Sequence, residues 1–178
     1  PVLVREPGGT AVAERIRAIL LDPEVEIAPA SELFLFLAAR TDLVAKVIRP
    51  ALQTGRTVLA DRFQLSTEAY QCGGRGIAPT LFRAASQAAT GGLDPDLTFV
   101  LDLPTELGFD RIRRTGQILD RIERAGPEFH ARVAAVFRRA TGPGVVHLDA
   151  TQPSEQVLLR AWEEIQARWP EARAAGHD

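Results

Sequence analysis

The sequence predicts an α/β domain built on a parallel sheet. Stretches typical of strands alternate with stretches typical of helices along all 178 residues, which is the pattern of α/β folds. The clearest strands are continuous apolar runs rather than alternating ones, and this indicates burial on both faces, as in a parallel sheet. The length fits one domain, so we expect a single unit spanning residues 1–178.

Four segments are predicted to be strands. The first is a short apolar run that ends at a Pro-Gly-Gly turn, the second follows a Thr-Gly turn, and the third follows an Asp-Pro-Asp turn. The fourth begins at a glycine. Their predicted ranges are 2–4, 57–60, 97–101 and 144–148.

Helices are predicted between these strands from the spacing of apolar residues. The first covers residues 12–20 and is stopped by Asp22-Pro23. The second is capped by Ser31, and Pro50 bends or ends it. Residues 73–76, Gly-Gly-Arg-Gly, are predicted to form a flexible loop. The remaining helices are expected at 79–90, 104–114, 127 to about 141, and 156–169.

Composition limits the classes of partner. The formal net charge is −2, so the sequence implies no general attraction to nucleic acid. No apolar run reaches the length of a membrane span and no signal-peptide pattern is visible, so no membrane partner is expected. Cys72 is the one cysteine, which excludes a disulfide framework and favours a reducing, cytoplasmic setting.

Two acidic residues fall just after predicted strands, where open α/β sheets bind ligands. Glu6 follows the first strand and Asp61 follows the second. Asp61 can hold Mg²⁺, directly or through water, and the adjacent Arg62 can bind phosphate. The alternative for Asp61 and Arg62 is a salt bridge at the end of the strand.

Polar and aromatic residues on two predicted helices form further candidates. Phe36 and Arg40 are four residues apart and share a helix face, so a base could stack on the ring while the guanidinium donates to a base carbonyl. The alternative is that Phe36 is core and Arg40 is solvated. If Phe36 binds a base, Phe34 becomes the better core candidate. Ser66, Thr67 and Gln71 offer hydroxyl and amide groups, or else simply cap helices.

The remaining candidates are a glycine turn and several arginines. Gly8 and Gly9 would let the backbone approach a ligand, although most such turns are structural. Arg17 could turn inward to an anion or lie on the surface. A dense arginine stretch would be either a mobile lid over transferring phosphates or a solvated, salt-bridged helix. It contains Arg111, Arg113, Arg114, Arg121 and Arg124.

The order of these motifs resembles bacterial thymidylate kinases from residue 2 to about residue 165. The resemblance rests on Arg-Glu-Pro-Gly-Gly at 5–9, Leu-Phe-Leu-Ala-Ala-Arg at 35–40, Asp-Arg-Phe at 61–63 with Tyr70-Gln71, and Leu-Asp-Arg-Ile-Glu at 119–123. It implies a P-loop-kinase-like, three-layer domain with a parallel sheet. The implied activity is phosphorylation of thymidine monophosphate (dTMP) to the diphosphate by ATP, with Mg²⁺, in deoxynucleotide biosynthesis.

The resemblance also implies roles at the base and sugar. Phe36 would stack on thymine, and Arg40 would bond a carbonyl oxygen of the base. Tyr70 would crowd the sugar 2′ position and so favour deoxyribose. The base pocket would also be lined by Ser66, Thr67 and Gln71.

Further implied roles concern the phosphates. Arg17 and Arg62 would hold the acceptor phosphate, Glu6 would lie near that phosphate and the sugar, and Asp61 would help place Mg²⁺. A lid at about residues 111–126 would neutralise charge during transfer, and its acting arginines would come from Arg113, Arg114 and Arg121. The family pairs as homodimers, and by resemblance the helix at 31–51 would contribute.

One departure from the family pattern concerns the ATP side. The family begins with a strand, a phosphate-binding loop and a helix, but the 178 residues contain no Gly-x-x-x-x-Gly-Lys-Ser/Thr loop. The absent strand is central in the family sheet, so we expect unpaired backbone and exposed apolar surface between its neighbours. We therefore expect upstream residues to exist, and we expect these 178 residues alone to be inactive as a kinase.

Two other functions stay open on sequence grounds. The first is a catalytically silent module that binds nucleotide or pairs with partners without the loop. The second is a deoxynucleoside kinase, whose acceptor is a sugar hydroxyl and which would need a base and less positive charge. Arg17 and Arg62 favour an acceptor that already carries phosphate.

Overall fold

The computed structural model describes residues 1–116 and 118–171. It contains four strands, in two parallel pairs, and the alternation of strands and helices agrees with the predicted α/β class. The strands are β1 (Val2–Arg5), β2 (Val58–Asp61), β3 (Thr98–Asp102) and β4 (Val145–Asp149). Each lies within one or two residues of its predicted range.

Eight α-helices are assigned in the described residues. They are α1 (Ala11–Leu21), α2 (Pro29–Leu43), α3 (Arg49–Gln53), α4 (Gln64–Thr67), α5 (Pro79–Thr90), α6 (Thr105–Thr115), α7 (Pro127–Arg139) and α8 (Ser154–Arg168). Two π-helical segments, Val44–Ile48 and Glu68–Gly74, continue α2 and α4, and Glu123–Ala125 forms a 3₁₀ turn.

The contacts divide the chain into two compact units. Unit 1 contains Pro1–Asp94 and the described part of Gln117–Arg139, and unit 2 contains Pro95–Gly116 and the described part of Ala140–Asp178. The prediction of one domain over residues 1–178 therefore stays a prediction.

In unit 1, β1 pairs with β2 in parallel, with Val2 opposite Val58 and Arg5 opposite Asp61. Helix α2 packs against α1 and α5, and α7 packs against the π-helical segment Glu68–Gly74. The core of this unit consists of three small apolar clusters. The buried residues of the three clusters are Ala69, Ile122, Phe129 and Val133; Leu33, Leu37 and Phe82; and Leu43, Val44 and Ile48.

In unit 2, β3 pairs with β4 in parallel, with Thr98 opposite Val145 and Asp102 opposite Asp149. Helix α8 packs against β4. The Arg168 guanidinium donates to the carbonyl oxygen of Asp96 at 2.9 Å, which ties the end of α8 to the start of this unit.

The prediction that the strands are buried on both faces is wrong. Leu59 on β2 is 48% exposed and Leu101 on β3 is 61% exposed. Each sheet has only two strands, so neither provides the two covered faces that a continuous apolar run indicates. Exposed apolar surface on the strands is what the departure from the family pattern led us to expect.

The structure differs from three local predictions, two in α2 and its continuation and one in the π-helical segment Glu68–Gly74. Ser31 is not the cap of α2, because the helix begins two residues earlier at Pro29, whose fixed φ and missing N–H suit the first turn. Pro50 does not end the helix; it lies in the first turn of α3, after the π-helical segment. Gly73 and Gly74 lie in the second π-helical segment rather than in a flexible loop.

Candidate functional site

The carboxyl ends of β1 and β2 bring two predicted site residues to one edge of the sheet. Arg5 lies opposite Asp61 in the parallel register, and the backbone N–H of Glu6 donates to the carbonyl oxygen of Asp61 at 2.9 Å. Asp61 and Arg62 are exposed, whereas Glu6 turns inward and is buried. This edge is therefore the place where a ligand would meet both the strand ends and the helix that follows.

A buried ion pair lies beside this edge. The Nε of Arg40 donates to Oε2 of Glu6 at 2.8 Å, and Nη2 of Arg40 donates to Oγ1 of Thr67 at 2.8 Å. Arg40 is only 2% exposed, so the interpretation that it is solvated is wrong. We refer to Glu6, Arg40 and Thr67 as the Glu6 cluster.

The Glu6 cluster is incompletely hydrogen-bonded. Nη1 of Arg40 and Oε1 of Glu6 are both buried without a hydrogen-bond partner in the described structure. Burial raises the pKa of the Glu6 carboxyl above its ordinary value, and the charge of Arg40 opposes that rise only in part. A buried donor and a buried acceptor without partners are costly, and a bound polar molecule would satisfy them.

The aromatic residues form an apolar wall in the same unit. Phe36 and Tyr70 both pack against the cluster around Ala69 and Phe129, and the rings of Tyr70 and Phe129 are 6.1 Å apart. Both residues are half-buried, so part of each ring can contact a ligand. The prediction that Phe34 is core is wrong, because it is 53% exposed on the other side of α2.

Arg62 lies where strand β2 gives way to α4. Its φ of 71° is in the left-handed region that non-glycine residues rarely adopt, and such strain is concentrated at functional sites. Its Nη1 donates weakly to Oγ of Ser66 at 3.5 Å, and its guanidinium lies 5.4 Å from the centre of the Tyr70 ring. Arg62 therefore lies close to Ser66 and Tyr70, and it forms no strand-end salt bridge with Asp61.

The remaining residues of the turn after β1 have structural contacts of their own. Arg17 donates to the carbonyl oxygen of Pro7 at 2.8 Å, so it points into the turn rather than away from the protein. Gly9 has a φ of +86°, and a Cβ there would come within 2.7 Å of Cδ1 of Leu43. The backbone N–H of Gly9 donates to Glu14 at 2.9 Å. The glycine is thus required by packing, which supports the structural interpretation of the turn.

A second buried cluster, which the sequence interpretation missed, surrounds Glu32 on α2. Glu32 is fully buried and accepts from Nε2 of Gln71 at 2.9 Å, from Nε of Arg75 at 3.0 Å, and from Nη1 of Arg121 at 2.6 Å. We refer to Glu32, Gln71, Arg75 and Arg121 as the Glu32 cluster. The available signal was spacing, because Glu32, Phe36 and Arg40 recur every four residues and so share one face of the helix.

The hydrogen bonds of the Glu32 cluster set its charge state. Burial alone would raise the pKa of the Glu32 carboxyl, but the donors from Arg75, Gln71 and Arg121 outweigh burial and lower it. Nε of Arg121 also donates to the carbonyl oxygen of Leu20 at 2.9 Å, while its Nη2 is buried without a partner. Glu32 is thus an ionised, acceptor-only centre inside unit 1.

The other two predicted lid arginines belong to unit 2. Arg113 and Arg114 lie in the last turn of α6 and are exposed, and Arg113 pairs with Asp110 on the same helix. The nearby Arg111 donates to the carbonyl oxygen of Ala150 at 2.9 Å. These contacts do not test the predicted lid. The catalytic roles of Arg113, Arg114 and Arg121 therefore stay predictions.

Asp61, which the sequence predicted to hold Mg²⁺, is exposed at the end of β2. No group of three or more His, Cys, Asp or Glu side chains that could hold a metal ion occurs in residues 1–116 and 118–171. Mg²⁺ in nucleotide enzymes is usually held by one or two carboxylates together with substrate phosphates and water. The exposed carboxylate of Asp61 at the strand end suits that mode.

Comparisons with known proteins identify the family. A family model described as thymidylate kinase matches residues 1–160. Thymidylate kinase from Deinococcus radiodurans is 44% identical over 169 residues, which cover 93% of this chain and 82% of that protein. Thymidylate kinase from Desulfovibrio desulfuricans is 45% identical over 177 residues, with coverage of 94% and 82%.

The chain belongs to the thymidylate kinase family. Among solved structures, the crystal structure of thymidylate kinase from Ehrlichia chaffeensis matches with a TM-score of 0.72 and 29% identity, over 93% of this chain and 80% of that one. This match confirms the predicted P-loop-kinase-like α/β fold of the thymidylate kinase family. Within the described residues, no helix has both the length and the apolarity needed to span a membrane.

Proposed function

We propose that this protein transfers the γ-phosphoryl group of ATP to dTMP, giving ADP and thymidine diphosphate. The family membership supports both substrates. Within unit 1, the convergence of an aromatic wall, a buried guanidinium and a phosphate-binding arginine supports a pocket for the acceptor nucleotide.

The observation that carries the proposal is the unpaired Nη1 of Arg40. The guanidinium is buried and fixed by Glu6 and Thr67, yet this one donor has no partner. Such a group is costly unless a ligand accepts its hydrogen bond. A thymine carbonyl oxygen would do so while the ring stacks on Phe36, and Ser66, Thr67 and Gln71 would complete the base pocket.

At the other end of the nucleotide, Arg62 and Arg17 would bind the acceptor phosphate. Arg62 makes only a 3.5 Å bond to Ser66, so its guanidinium is available at small cost. Arg17 reaches the turn beside Glu6. The acceptor phosphate is already ionised, so the reaction needs positioning and charge stabilisation rather than a strong base. Tyr70, beneath Arg62, would contact the sugar and favour deoxyribose.

The proposed reaction also uses Mg²⁺, bound together with the nucleotide phosphates. Asp61 would hold it together with phosphate oxygens of the nucleotides, in keeping with the exposed position of this carboxylate at the strand end. Bound Mg²⁺ would neutralise phosphate charge. Arg113, Arg114 and Arg121 are proposed to stabilise the charge of the transferring group when the lid acts.

We also propose a homodimer that uses α2 and its continuation. Phe34 is half exposed and Leu52 is 40% exposed, and Ala38 and Ala45 are exposed between them at helical spacing. Light scattering should give twice the 19.4 kDa chain mass for the parent protein. Phe34→Asp should give the monomer mass, whereas Leu158→Asp on α8 should not. A parent protein of monomer mass would contradict the dimer.

Calorimetric titration with three ligands tests the acceptor pocket. We expect dTMP to bind more tightly than thymidine, because only dTMP engages the phosphate-binding arginines, and more tightly than uridine monophosphate, because Tyr70 disfavours ribose. Equal affinity for all three ligands would refute the assignment of the pocket to a pyrimidine deoxynucleotide.

Arg62 gives a matched test of the phosphate end. Arg62→Ala should weaken dTMP binding by about tenfold or more, since it removes a charge-assisted contact, while thymidine binding stays unchanged. Arg138→Ala, an exposed arginine on α7, serves as the charge-matched control and should change neither affinity. Equal dTMP affinity in the parent and Arg62→Ala would remove Arg62 from the site.

A further inference from the structure

The side-chain amide of Gln71 is held from one side only. Its Nε2 donates to Oε1 of Glu32 at 2.9 Å, and both residues are essentially inaccessible to solvent, at 1% and 0% exposure. The other end of the same amide, Oε1 of Gln71, is buried without a hydrogen-bond partner in the described structure. The amide therefore presents an unsatisfied acceptor on the side away from Glu32.

The direction of this amide follows from the chemistry of Glu32. An ionised carboxylate only accepts hydrogen bonds, so the NH₂ end of Gln71, and not its oxygen, must face it. Arg75 donates to both carboxylate oxygens, at 3.0 and 3.1 Å, and Arg121 lies 2.6 Å from Oε2. These contacts lower the pKa of Glu32 and so keep the carboxylate ionised at neutral pH.

The unpaired acceptor of Gln71 complements the unpaired donor of Arg40. Gln71 follows Thr67 by four residues, so the two share a face of the segment that continues α4, and Thr67 binds Arg40 at 2.8 Å. One donor and one acceptor match the edge of a pyrimidine where a carbonyl adjoins a ring N–H. Thymine and uracil have that edge, whereas cytosine presents an amino donor and a ring-nitrogen acceptor there.

We propose that Glu32 is a specificity-determining positioning residue: by fixing the amide of Gln71, it makes the pocket select bases with a 4-carbonyl and a ring N–H over cytosine. This inference rests on the proposed acceptor pocket and assigns its base selectivity to a residue that does not contact the base. The methyl group of thymine plays no part in it, so Glu32 discriminates dTMP from deoxycytidine monophosphate (dCMP) but not from deoxyuridine monophosphate (dUMP).

The substitution Glu32→Gln tests the inference because it keeps the shape and removes the charge. The new amide oxygen should face Arg121 and the Nη2 of Arg75, which places its NH₂ group toward Gln71. Gln71 would then turn over and present its own NH₂ group to the base. We expect the ratio of dTMP affinity to dCMP affinity, measured by calorimetry, to fall by about tenfold or more, which is typical of an unsatisfied buried polar group.

Two comparisons separate selectivity from general loosening of the cluster. The ratio of dTMP affinity to dUMP affinity should be the same in the parent and in Glu32→Gln, because both bases share the recognised edge. Arg75→Lys perturbs the same carboxylate without touching Gln71 and should leave the dTMP-to-dCMP ratio within about twofold of the parent. An equal fall in Arg75→Lys would assign Glu32 a merely structural role and overturn the proposal.

A measurement on the parent protein keeps the proposal testable if Glu32→Gln does not fold. The side-chain NH₂ signals of Gln71, assigned by their loss in Gln71→Leu, should exchange slowly with solvent before any nucleotide is added. Rapid exchange would overturn the proposal. No binding of any nucleotide by the parent would overturn the proposed function as well, whereas selective dTMP binding with an unchanged dTMP-to-dCMP ratio in Glu32→Gln would overturn this inference alone.

Discussion

Unit 1 contains two buried carboxylates with opposite surroundings. Glu6 has one cationic partner, Arg40, and one oxygen without a partner, and its pKa is raised by burial. Glu32 has two cationic partners and an amide donor, and these contacts lower its pKa in spite of complete burial.

The contrast separates a carboxylate whose acceptor capacity is used by the protein from one that keeps an unpaired oxygen. All the acceptor capacity offered by Glu32 is used by the protein, so this carboxylate joins α2, the segment after α4 and the chain near Arg121 without a ligand. The Glu6 cluster retains a buried donor and a buried acceptor that only a ligand or water can satisfy. We therefore expect loss of Glu32 to act mainly on stability, and on binding only through the amide of Gln71, whereas loss of Arg40 should act mainly on affinity.

The largest effect on stability is expected from Glu32→Leu. The substitution removes the carboxylate that pairs with Arg75 and Arg121 and accepts from Gln71. Leaving buried charges without a partner costs about 3–5 kcal/mol. The free energy of unfolding in urea measures it. Glu163→Gln removes an exposed carboxylate paired with Arg160 on α8 and should cause no measurable change. Equal effects of the two substitutions would contradict the role of the Glu32 cluster as scaffold.

A smaller stability effect, with a large binding effect, is expected from Arg40→Met. The loss of Arg40 leaves the Glu6 carboxyl buried without its cationic partner, but burial already raises the pKa of this carboxyl and so eases its protonation once the cation is gone. We therefore expect a cost of about 2–3 kcal/mol rather than more. Calorimetry should show at least about a tenfold loss of dTMP affinity. Unchanged affinity alongside a stability loss equal to that of Glu32→Leu would reverse the proposed division between the clusters.

A backbone change tests how the Glu32 cluster is supported. Gly74 ends the π-helical segment, and a Cβ there would collide with the ring of Phe129, above which Arg75 lies at 4.5 Å. Gly74→Ala should cost about 1–3 kcal/mol in urea unfolding, as overpacking does. Gly108→Ala in α6 meets only Leu103 at 3.7 Å and should stabilise the protein slightly. A neutral Gly74→Ala would show that α7 does not pack closely there.

The smallest effect concerns pH, and its sign differs between the two carboxylates. The pKa of Glu32 is lowered, so its contribution is present above the ordinary value of 4.5 and is lost as pH falls through the folded value. The pKa of Glu6 is raised, so its contribution is present below 4.5 and is lost as pH rises through the folded value.

Urea unfolding between about pH 3 and about pH 7 should therefore separate the two carboxylates. The stability deficit of Glu32→Gln relative to the parent should grow as pH rises to about 4.5 and then stay constant, whereas the deficit of Glu6→Gln should shrink as pH rises above about 4.5. Parallel curves for both variants would show that the two carboxylates titrate alike.

Local signals in the sequence predicted much of the fold. The helix predicted at residues 79–90 is α5 at Pro79–Thr90, and the four-residue spacing of Phe36 and Arg40 placed them on one face of α2. The apolar runs alone predicted burial of the strands and were wrong, because exposure depends on what covers each sheet rather than on the strand itself; only the departure from the family pattern led us to expect exposed apolar surface.

The Glu32 cluster was missed for a related reason. Its partners Gln71 and Arg75 are 39 and 43 residues away in the chain, and pairing over such separations is decided by tertiary packing. The pairing of Glu6 with Arg40, 34 residues apart in the chain, could not be predicted either, although each residue was selected as a candidate by its own position. Sequence patterns thus selected the residues that we propose for the acceptor pocket, but not the contacts that orient them.

A crystal structure of this chain with bound dTMP tests the central claim most directly. The account predicts the thymine ring against Phe36, a base carbonyl oxygen within hydrogen-bonding distance of Nη1 of Arg40, and the phosphate at Arg62. Nucleotide bound elsewhere in unit 1, with Nη1 of Arg40 still unpaired, would contradict it.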